Sequence, residues 1–122
     1  MSFEITCEHA LDQVKAVQKL MELLRREGCR FILARFDGGE AAFGLLRQLK
    51  PEFVKLSPGL VRMLGQGRIG SDHLRAIHGA CHTLGIKTIA EHVESEQTIA
   101  DLRALGVDYG QGFAIEAPHA LT

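Results

Sequence analysis

Tryptophan is absent from this 122-residue chain, proline occurs three times, and aromatic residues make up 6% of the whole. Any core must therefore be built mainly from aliphatic side chains. Three cysteines, Cys7, Cys29 and Cys81, are an odd number at wide spacing with no CxxC pair. This excludes a disulfide framework and a zinc ribbon and points to a reducing, cytoplasmic setting. Charge of one sign is also lacking. The formal net charge is -1, and Arg25-Arg26 is the densest basic cluster, so there is no field to steer nucleic acid or anionic lipid. No apolar run approaches the ~20 residues of a membrane span, and no basic start followed by an apolar core marks a targeting segment. What is present, 46% hydrophobic and 24% charged residues, is the composition of one globular domain without a linker or direct membrane insertion.

The stretch Lys87-Thr88-Ile89-Ala90-Glu91-His92-Val93-Glu94 organises the rest. Residues 87 to 90 suit a strand covered on both faces, and Ser95 is a good N-cap for a following helix. Glu91 and Glu94 thus fall at the C-terminal mouth of a strand, where parallel α/β folds place ligands and catalysis.

Phe3-Glu4-Ile5-Thr6 alternates as a short strand. Leu11, Val14, Val17, Leu20, Met21 and Leu24 recur at helical spacing and predict one helix closed by Gly28. Phe31 to Ala34 is a buried-strand run leading into Arg35-Phe36-Asp37-Gly38-Gly39, where paired glycines permit a tight turn. Phe43, Leu46 and Leu49 mark a helix stopped at Lys50-Pro51, because the residue before proline is pushed out of the α region. Phe53-Val54-Lys55-Leu56 is the next strand, and Ser57-Pro58 opens a helix carrying Leu60, Val61 and Leu64. Another helix, opened by Ser71 or Asp72, carries Leu74, Ile77, Cys81 and Leu84 and ends at Gly85. A last helix runs from Ser95 to Gly106, and a glycine-spaced strand at residues 107 to 113 closes the chain. Strands beginning near residues 3, 30, 53, 86 and 107, separated by helices and with no hairpin, give the βαβ rhythm of a parallel sheet. A complete eight-unit barrel needs about 250 residues, so the fold is either an open sheet or about half of a barrel.

Strand ends gather Glu4, Lys55, Glu91, Glu94 and Gln111 at one mouth, beside the Gly38-Gly39 loop. Carboxylates of this kind suit a hard divalent cation, and a lysine suits a phosphate or a water. Solvated strand flanks would look the same. The Gly38-Gly39 turn could bring backbone amides to a phosphate, or be a turn and nothing more. His78 and His82 share a helix flank at i and i+4, without an HExxH frame, and read as a metal pair or as ordinary residues beside the apolar stripe. His92 stands between the two mouth glutamates, able to tune them or to point away. Cys81 reads as core, and neither Cys7 nor Cys29 has a sequence neighbour that would activate a thiol.

Phe-Glu-Ile-Thr at 3 to 6, Phe-Val-Lys-Leu at 53 to 56, Ile-Ala-Glu-His-Val-Glu at 89 to 94 and Asp-Tyr-Gly-Gln-Gly-Phe at 108 to 113 come in the order and spacing of the EAL domain. That family comprises bacterial cyclic di-GMP phosphodiesterases and their non-catalytic relatives. The chain resembles its C-terminal half, with the segment bearing the Glu-Ala-Leu motif falling upstream of residue 1. The resemblance implies parallel βα units forming about half of an EAL-type, TIM-like barrel, with residues 1–122 as one partial domain. It makes Glu4 and Glu91 metal-binding carboxylates, Lys55 the lysine near the attacking water, and Glu94 and Gln111 supporting residues.

Other positions depart from the family pattern. The catalytic loop of the family begins with two adjacent aspartates and Phe-Gly-Thr-Gly, whereas Ala34-Arg35-Phe36-Asp37-Gly38-Gly39 stands here. The acid after the first strand's Thr is Cys7, the Asp after the lysine strand is Ser57, and the Gly between the glutamates is His92. Two-metal hydrolysis requires enough anionic oxygens to hold cations about 4 Å apart. A methyl and a guanidinium in place of two carboxylates, at ~4 Å, add repulsion of several kcal/mol at intermediate dielectric. The expectation is therefore a degenerate domain with Glu4 and Glu91 as vestigial, unoccupied ligands and no cofactor, Mg or Mn being required only if it is active. Arg35 is free to pair with Glu4 or Glu91 or to bind phosphate. The expected role is a regulatory or protein-interaction module. One alternative is a non-hydrolysing cyclic di-GMP receptor using Arg35, Gly38, Gly39 and Gln111; another is a phosphodiesterase fragment completed by upstream residues. Uncovered strand edges also predict a homo-oligomer, with a possible signalling partner and no nucleic-acid polymer.

Overall fold

In a computed structural model, residues 2–63, 68–93, 96–112 and 115–120 are described. Strands β1 (Ser2–Thr6), β2 (Arg30–Phe36), β3 (Phe53–Leu56), β4 (Lys87–Val93), β5 (Tyr109–Gly112) and β6 (Ile115–Ala120) form one sheet in sequence order. The first five strands are parallel. Helices α1 (Cys7–Asp12), α2 (Val14–Arg26), α3 (Glu40–Leu49), α4 (Pro58–Met63), α5 (Arg68–Thr83) and α6 (Glu96–Ala104) fill the crossovers.

Alternation along the strands sorts the side chains onto two faces. Phe31, Leu33 and Phe36 of β2, Val54 and Leu56 of β3 and Ala90 of β4 join one core cluster with Met21, Leu45, Leu46, Leu74, Ile77 and Leu102 from the helices. The opposite face carries Glu4, Ile32, Ala34, Phe53, Lys55, Ile89, Glu91 and Tyr109, as the register requires. Ala34 and Ile89 are buried there yet lie outside the helix-packed cluster. The Phe53 and Tyr109 rings meet edge to face at 6.1 Å on this second face. One face is thus a conventional helix-covered core, and the other holds the charged residues.

The N-terminal end of the sheet is stitched by polar groups. Glu52 accepts from the Phe31 amide (2.6 Å) and from Arg25 Nε (3.1 Å), while the Glu52 carbonyl accepts from the Lys87 amide. Arg25 also donates to the Lys50 carbonyl (2.6 Å), closing the C-terminus of α3. At the start of β5, Asp108 Oδ2 accepts from the amide and hydroxyl of Thr88, the one buried polar residue among those described.

Several boundaries differ from the sequence reading. The single helix expected around residues 11 to 24 is two, broken at Gln13 (φ −130°, ψ 43°). The Gln13 amide closes α1 on the His9 carbonyl and its own carbonyl accepts from Val17, so both helix ends are satisfied at one residue. The buried stripe is Cys7, Ala10, Val17 and Met21, while Leu11 and Leu20, expected inside, are exposed. Lys50 before Pro51 leaves the α region as expected, but into the left-handed region (φ 46°, ψ 59°). α5 begins at Arg68, earlier than Ser71, and β4 continues past Ala90 to Val93, so that Glu91 lies within the strand. The expectation of no hairpin is overturned: β6 pairs antiparallel with β5 at the sheet edge. An edge tolerates Pro118, which cannot donate to a ladder and which hid this strand in the sequence. The expectations placed on Leu64, Gly65 to Gly67, Glu94, Ser95 and Phe113 lie outside the described residues.

Candidate functional site

Lys55 stands near the C-terminal end of β3, on the sheet face opposite the helix core, flanked through β2 by β1 and directly by β4. Its ammonium donates to Glu4 Oε1 on β1 and forms an ion pair with Glu91 Oε1 on β4 at 3.1 Å. Three strands are tied by one cation. The lysine side chain is 13% exposed, against 48% for Glu4 and 27% for Glu91, so the ammonium is the most enclosed member of the cluster. Burial alone pulls the pKa of Lys55 down, but the hydrogen bonds and charges of Glu4 and Glu91 outweigh it and hold the group above its ordinary value.

The end of β2 is built differently. Ala34 is buried on the same face as Lys55, and its methyl offers no ligand. Arg35 is exposed and has φ 57°, a left-handed conformation rare for a long side chain. The irregular β2–β3 register between Leu33 and Phe36 accommodates that turn and returns Phe36 to the core. Phe36 is fully buried and meets Phe43 edge to face at 5.5 Å. Arg35 opens onto a groove of about 670 Å³ whose walls include Cys7, Glu8, Asp37, Glu40 and Ser57. Of the alternatives for Arg35, pairing with Glu4 or Glu91 is not the arrangement observed: both carboxylates pair with Lys55.

The glycine turn is a packed element. Asp37 Oδ1 accepts from the Gly39 amide at 2.9 Å, an Asx-type turn before α3. Gly38 has φ 79°, and a Cβ there would meet Ile77 Cδ1 at 2.7 Å and His73 Nε2 at 2.8 Å. This turn therefore presses onto α5, and the Gly39 amide is already used. The feature the sequence reading passed over is the acidic rim of the groove, Glu8, Asp37 and Glu40; the Asp-Gly-Gly spelling of the turn was its one visible signal.

Glu94 lies outside the described residues, and Gln111 is described only as a backbone position in β5. His78 and His82 stack with ring centroids 5.8 Å apart, and among the described residues no three His, Cys, Asp or Glu side chains gather as a cation site. Cys81 is buried as expected; Cys7, which opens α1, is buried too. Burial first, and the Asp37 charge second, push the Cys7 thiol up to about 12, and burial with Asp108 does the same to Cys81. Neither thiol is a nucleophile at neutral pH. The described donors at the Lys55 cluster, two carboxylates already satisfied by an ammonium beside a methyl, do not fit a pair of divalent cations.

Comparison with known proteins places these residues in context. The chain matches the EAL domain family over residues 1–118. It is 34% identical over 119 residues to the cyclic di-GMP phosphodiesterase PdeB of Shewanella oneidensis, covering 98% of this chain and 14% of that protein. Among solved structures, the Xanthomonas citri FimX EAL domain in complex with c-diGMP superposes with a TM-score of 0.89 at 24% identity, over 99% of this chain and 48% of that one. The Klebsiella pneumoniae BlrP1 manganese/cy-diGMP complex superposes with a TM-score of 0.86 at 24% identity, over 98% of this chain and 31% of that one. At this identity the two superpositions establish the fold. The chain spans about half the length of the FimX chain and a smaller share of PdeB and BlrP1.

Proposed function

The chain belongs to the EAL domain family, and from that premise we propose that it is a non-hydrolysing module of bacterial cyclic di-GMP signalling, working through protein contacts and not through phosphodiester cleavage. The observation that carries this reading is the strand-end rim. Lys55 satisfies both Glu4 and Glu91, while the end of β2 presents Ala34 and Arg35 where the family resemblance calls for two aspartates. Phosphodiester hydrolysis with two metals depends on anionic oxygens at that place to hold the cations and to generate hydroxide at neutral pH. A methyl contributes no oxygen, and a guanidinium repels the cation it would have to hold.

Signalling by cyclic di-GMP follows from the PdeB similarity and from the ligands named for the FimX and BlrP1 complexes. The test is incubation of the purified chain with cyclic di-GMP and magnesium or manganese, followed by chromatography of the nucleotide. Intact dinucleotide is expected; cleavage at an enzymatic rate overturns the reading. In the complete protein, Ala34→Asp with Arg35→Asp asks whether those two losses alone silence the site, and recovery of cleavage is the expected result.

A receptor reading has one observation in its favour, the exposed Arg35 guanidinium on a groove. Guanidinium is well suited to phosphate. Against it stand Glu8, Asp37 and Glu40, three acidic residues that line the same groove and oppose an anionic ligand. Calorimetric titration with cyclic di-GMP decides: no heat at high ligand concentration removes the receptor. Protein contacts are favoured by exposed Leu11, Leu20 and Leu23 on α1 and α2. We expect this chain alone to self-associate through those surfaces, and a monomer at every concentration in light scattering contradicts that.

A further inference from the structure

The groove between α2 and α3 carries a charge that the near-neutral sequence does not announce. Lys15, Lys19 and Arg25 from α2 and Arg47 and Lys50 from the end of α3 line a space of about 690 Å³, and Glu22 is the one acid among the described residues around it. Five of the chain's 14 basic residues thus meet one of its 15 acidic ones, which leaves the rest of the chain net negative. We propose that this groove docks an acidic amphipathic segment of a partner protein, its carboxylates over Lys15, Lys19, Arg47 and Lys50 and its apolar side against Leu20 and Leu23. The proposal rests on the reading of this chain as a module that works through protein contacts. It places one such contact on the helix side of the sheet, opposite the face that bears Lys55.

The walls of the groove are tied together. Arg25 donates to the Leu49 and Lys50 carbonyls at 3.3 and 2.6 Å, and Gln18 donates to the Gln48 carbonyl at 3.5 Å. Arg25 is also paired with Glu52, so its charge is used within the fold. The other four cations are exposed and form no ion pair among the described residues. Arg47 and Lys50 suit the C-terminal end of α3, where the helix dipole favours positive charge. No such reason covers α2. Lys15 lies in its first turn, where the dipole disfavours a cation, and Lys19 follows at i+4, a like-charge spacing that destabilises a helix until an anion lies over both. Buried Met21 and Leu49 floor the groove. Leu23 lies one turn beyond Lys19, with Leu20 three residues before it, so two exposed leucines border the basic row. Carboxylates beside apolar side chains are the complement of that surface. A nucleic acid or a membrane would press on a wider area, where the net negative charge of the remaining chain opposes it.

The probe is a fluorescein-labelled amphipathic peptide with glutamates on one helical face and leucines on the other, followed by fluorescence anisotropy. Its counterpart carries lysine at every glutamate. The acidic peptide is expected to bind saturably and more weakly as salt rises, and the lysine peptide not to bind. Lys15→Gln, Lys19→Gln and Arg47→Gln combined should weaken binding about tenfold or more, and Leu23→Ala severalfold. Arg30→Gln, Arg75→Gln and Lys87→Gln combined remove the same charge from exposed positions outside the groove and should leave the affinity within about twofold. All six positions are exposed, and thermal melting checks that both variants fold. No saturable binding of the acidic peptide overturns the proposal. Equal weakening by the two triple variants overturns it too, since the attraction would then be one of net charge. Tighter binding of a DNA duplex or of phosphatidylglycerol vesicles than of the peptide overturns it in favour of those polyanions. Loss of self-association in the groove variant, without peptide binding by wild type, overturns it in favour of a second copy of the chain. A peptide that fails to bind while cyclic di-GMP stays intact would sink this inference alone; cleavage of the nucleotide would sink the functional reading, whatever the peptide does.

Discussion

The ends of β2 and β3 lie side by side on one sheet and are held by opposite kinds of force. At β3, Lys55 is fixed by charge, through ion pairs to β1 and β4. At β2, Arg35 makes its left-handed turn while Ala34 and Phe36 on either side are buried, so apolar packing fixes the backbone and leaves the guanidinium exposed. The difference teaches that a rim can be held at one strand without an ion pair, provided the residues beside the exposed side chain are anchored below. It also separates the two contributions for experiment.

The largest effect should come from removing the packing. Phe36→Ala deletes a fully buried ring against Phe43 and is expected to cost about 3–5 kcal/mol in urea unfolding. A cost below about 1 kcal/mol would show that β2 is not anchored this way. Next comes alkaline pH, where the two ends should fail in sequence. The Cys7 thiol, beneath the β2 rim, is pushed from 9.0 up to about 12, as is Cys81. The folded state holds those protons more tightly, so their contribution is complete below pH 9 and falls as pH rises toward 12, by at most about 1.4 kcal/mol per pH unit for each thiol. Lys55 is raised from 10.5, so its contribution is complete below that value and fades only above it. Cys7→Ala should therefore roughly halve the slope of the first part of the alkaline decline in a stability-versus-pH series, Cys81 carrying the rest.

A smaller effect sharpens the backbone side of the comparison. Arg35→Val forces a β-branched residue into φ 57° and should cost about 1–2 kcal/mol, whereas Arg35→Asn, which tolerates that region, should be close to neutral. Equal destabilisation by both would mean that the arginine side chain, and not its backbone, matters. Smallest of all is Glu4→Gln. Its carboxylate is half exposed, so solvent screens the pair with Lys55 and the loss should stay under about 1 kcal/mol by thermal melting. A larger cost would make the charged end as deeply anchored as the packed one.

The parallel βα alternation was legible in the sequence because each strand is a short apolar run between periodic helices. Phe53 to Leu56 was placed correctly to the residue, and Glu4, Lys55 and Glu91 were assigned to one mouth. Two kinds of feature were not legible. Leu11 and Leu20 continue the helical period of α1 and α2 but face outward, because the break at Gln13 resets the phase and periodicity alone does not register it. At the rim, nothing in the spelling of Lys55 says which of several acids it will choose. Arg35 was the residue offered to Glu4 and Glu91, and Lys55 to a phosphate or a water, whereas Lys55 holds both carboxylates and the left-handed turn at Arg35 leaves its guanidinium exposed.

The strand order, β1 through β6 without a skipped position, has a consequence for how the chain is made. Each strand's template is the strand emitted just before it, so a ribosome delivering the chain presents every new segment to an edge already waiting. Loop closure at each step spans a single crossover, which keeps the entropic toll of pairing low for a parallel sheet. The antiparallel β6 docks on β5 as a local hairpin. Assembly can then advance from strand to strand in the order of synthesis, with each nascent edge capped by the next segment before it can recruit a stranger.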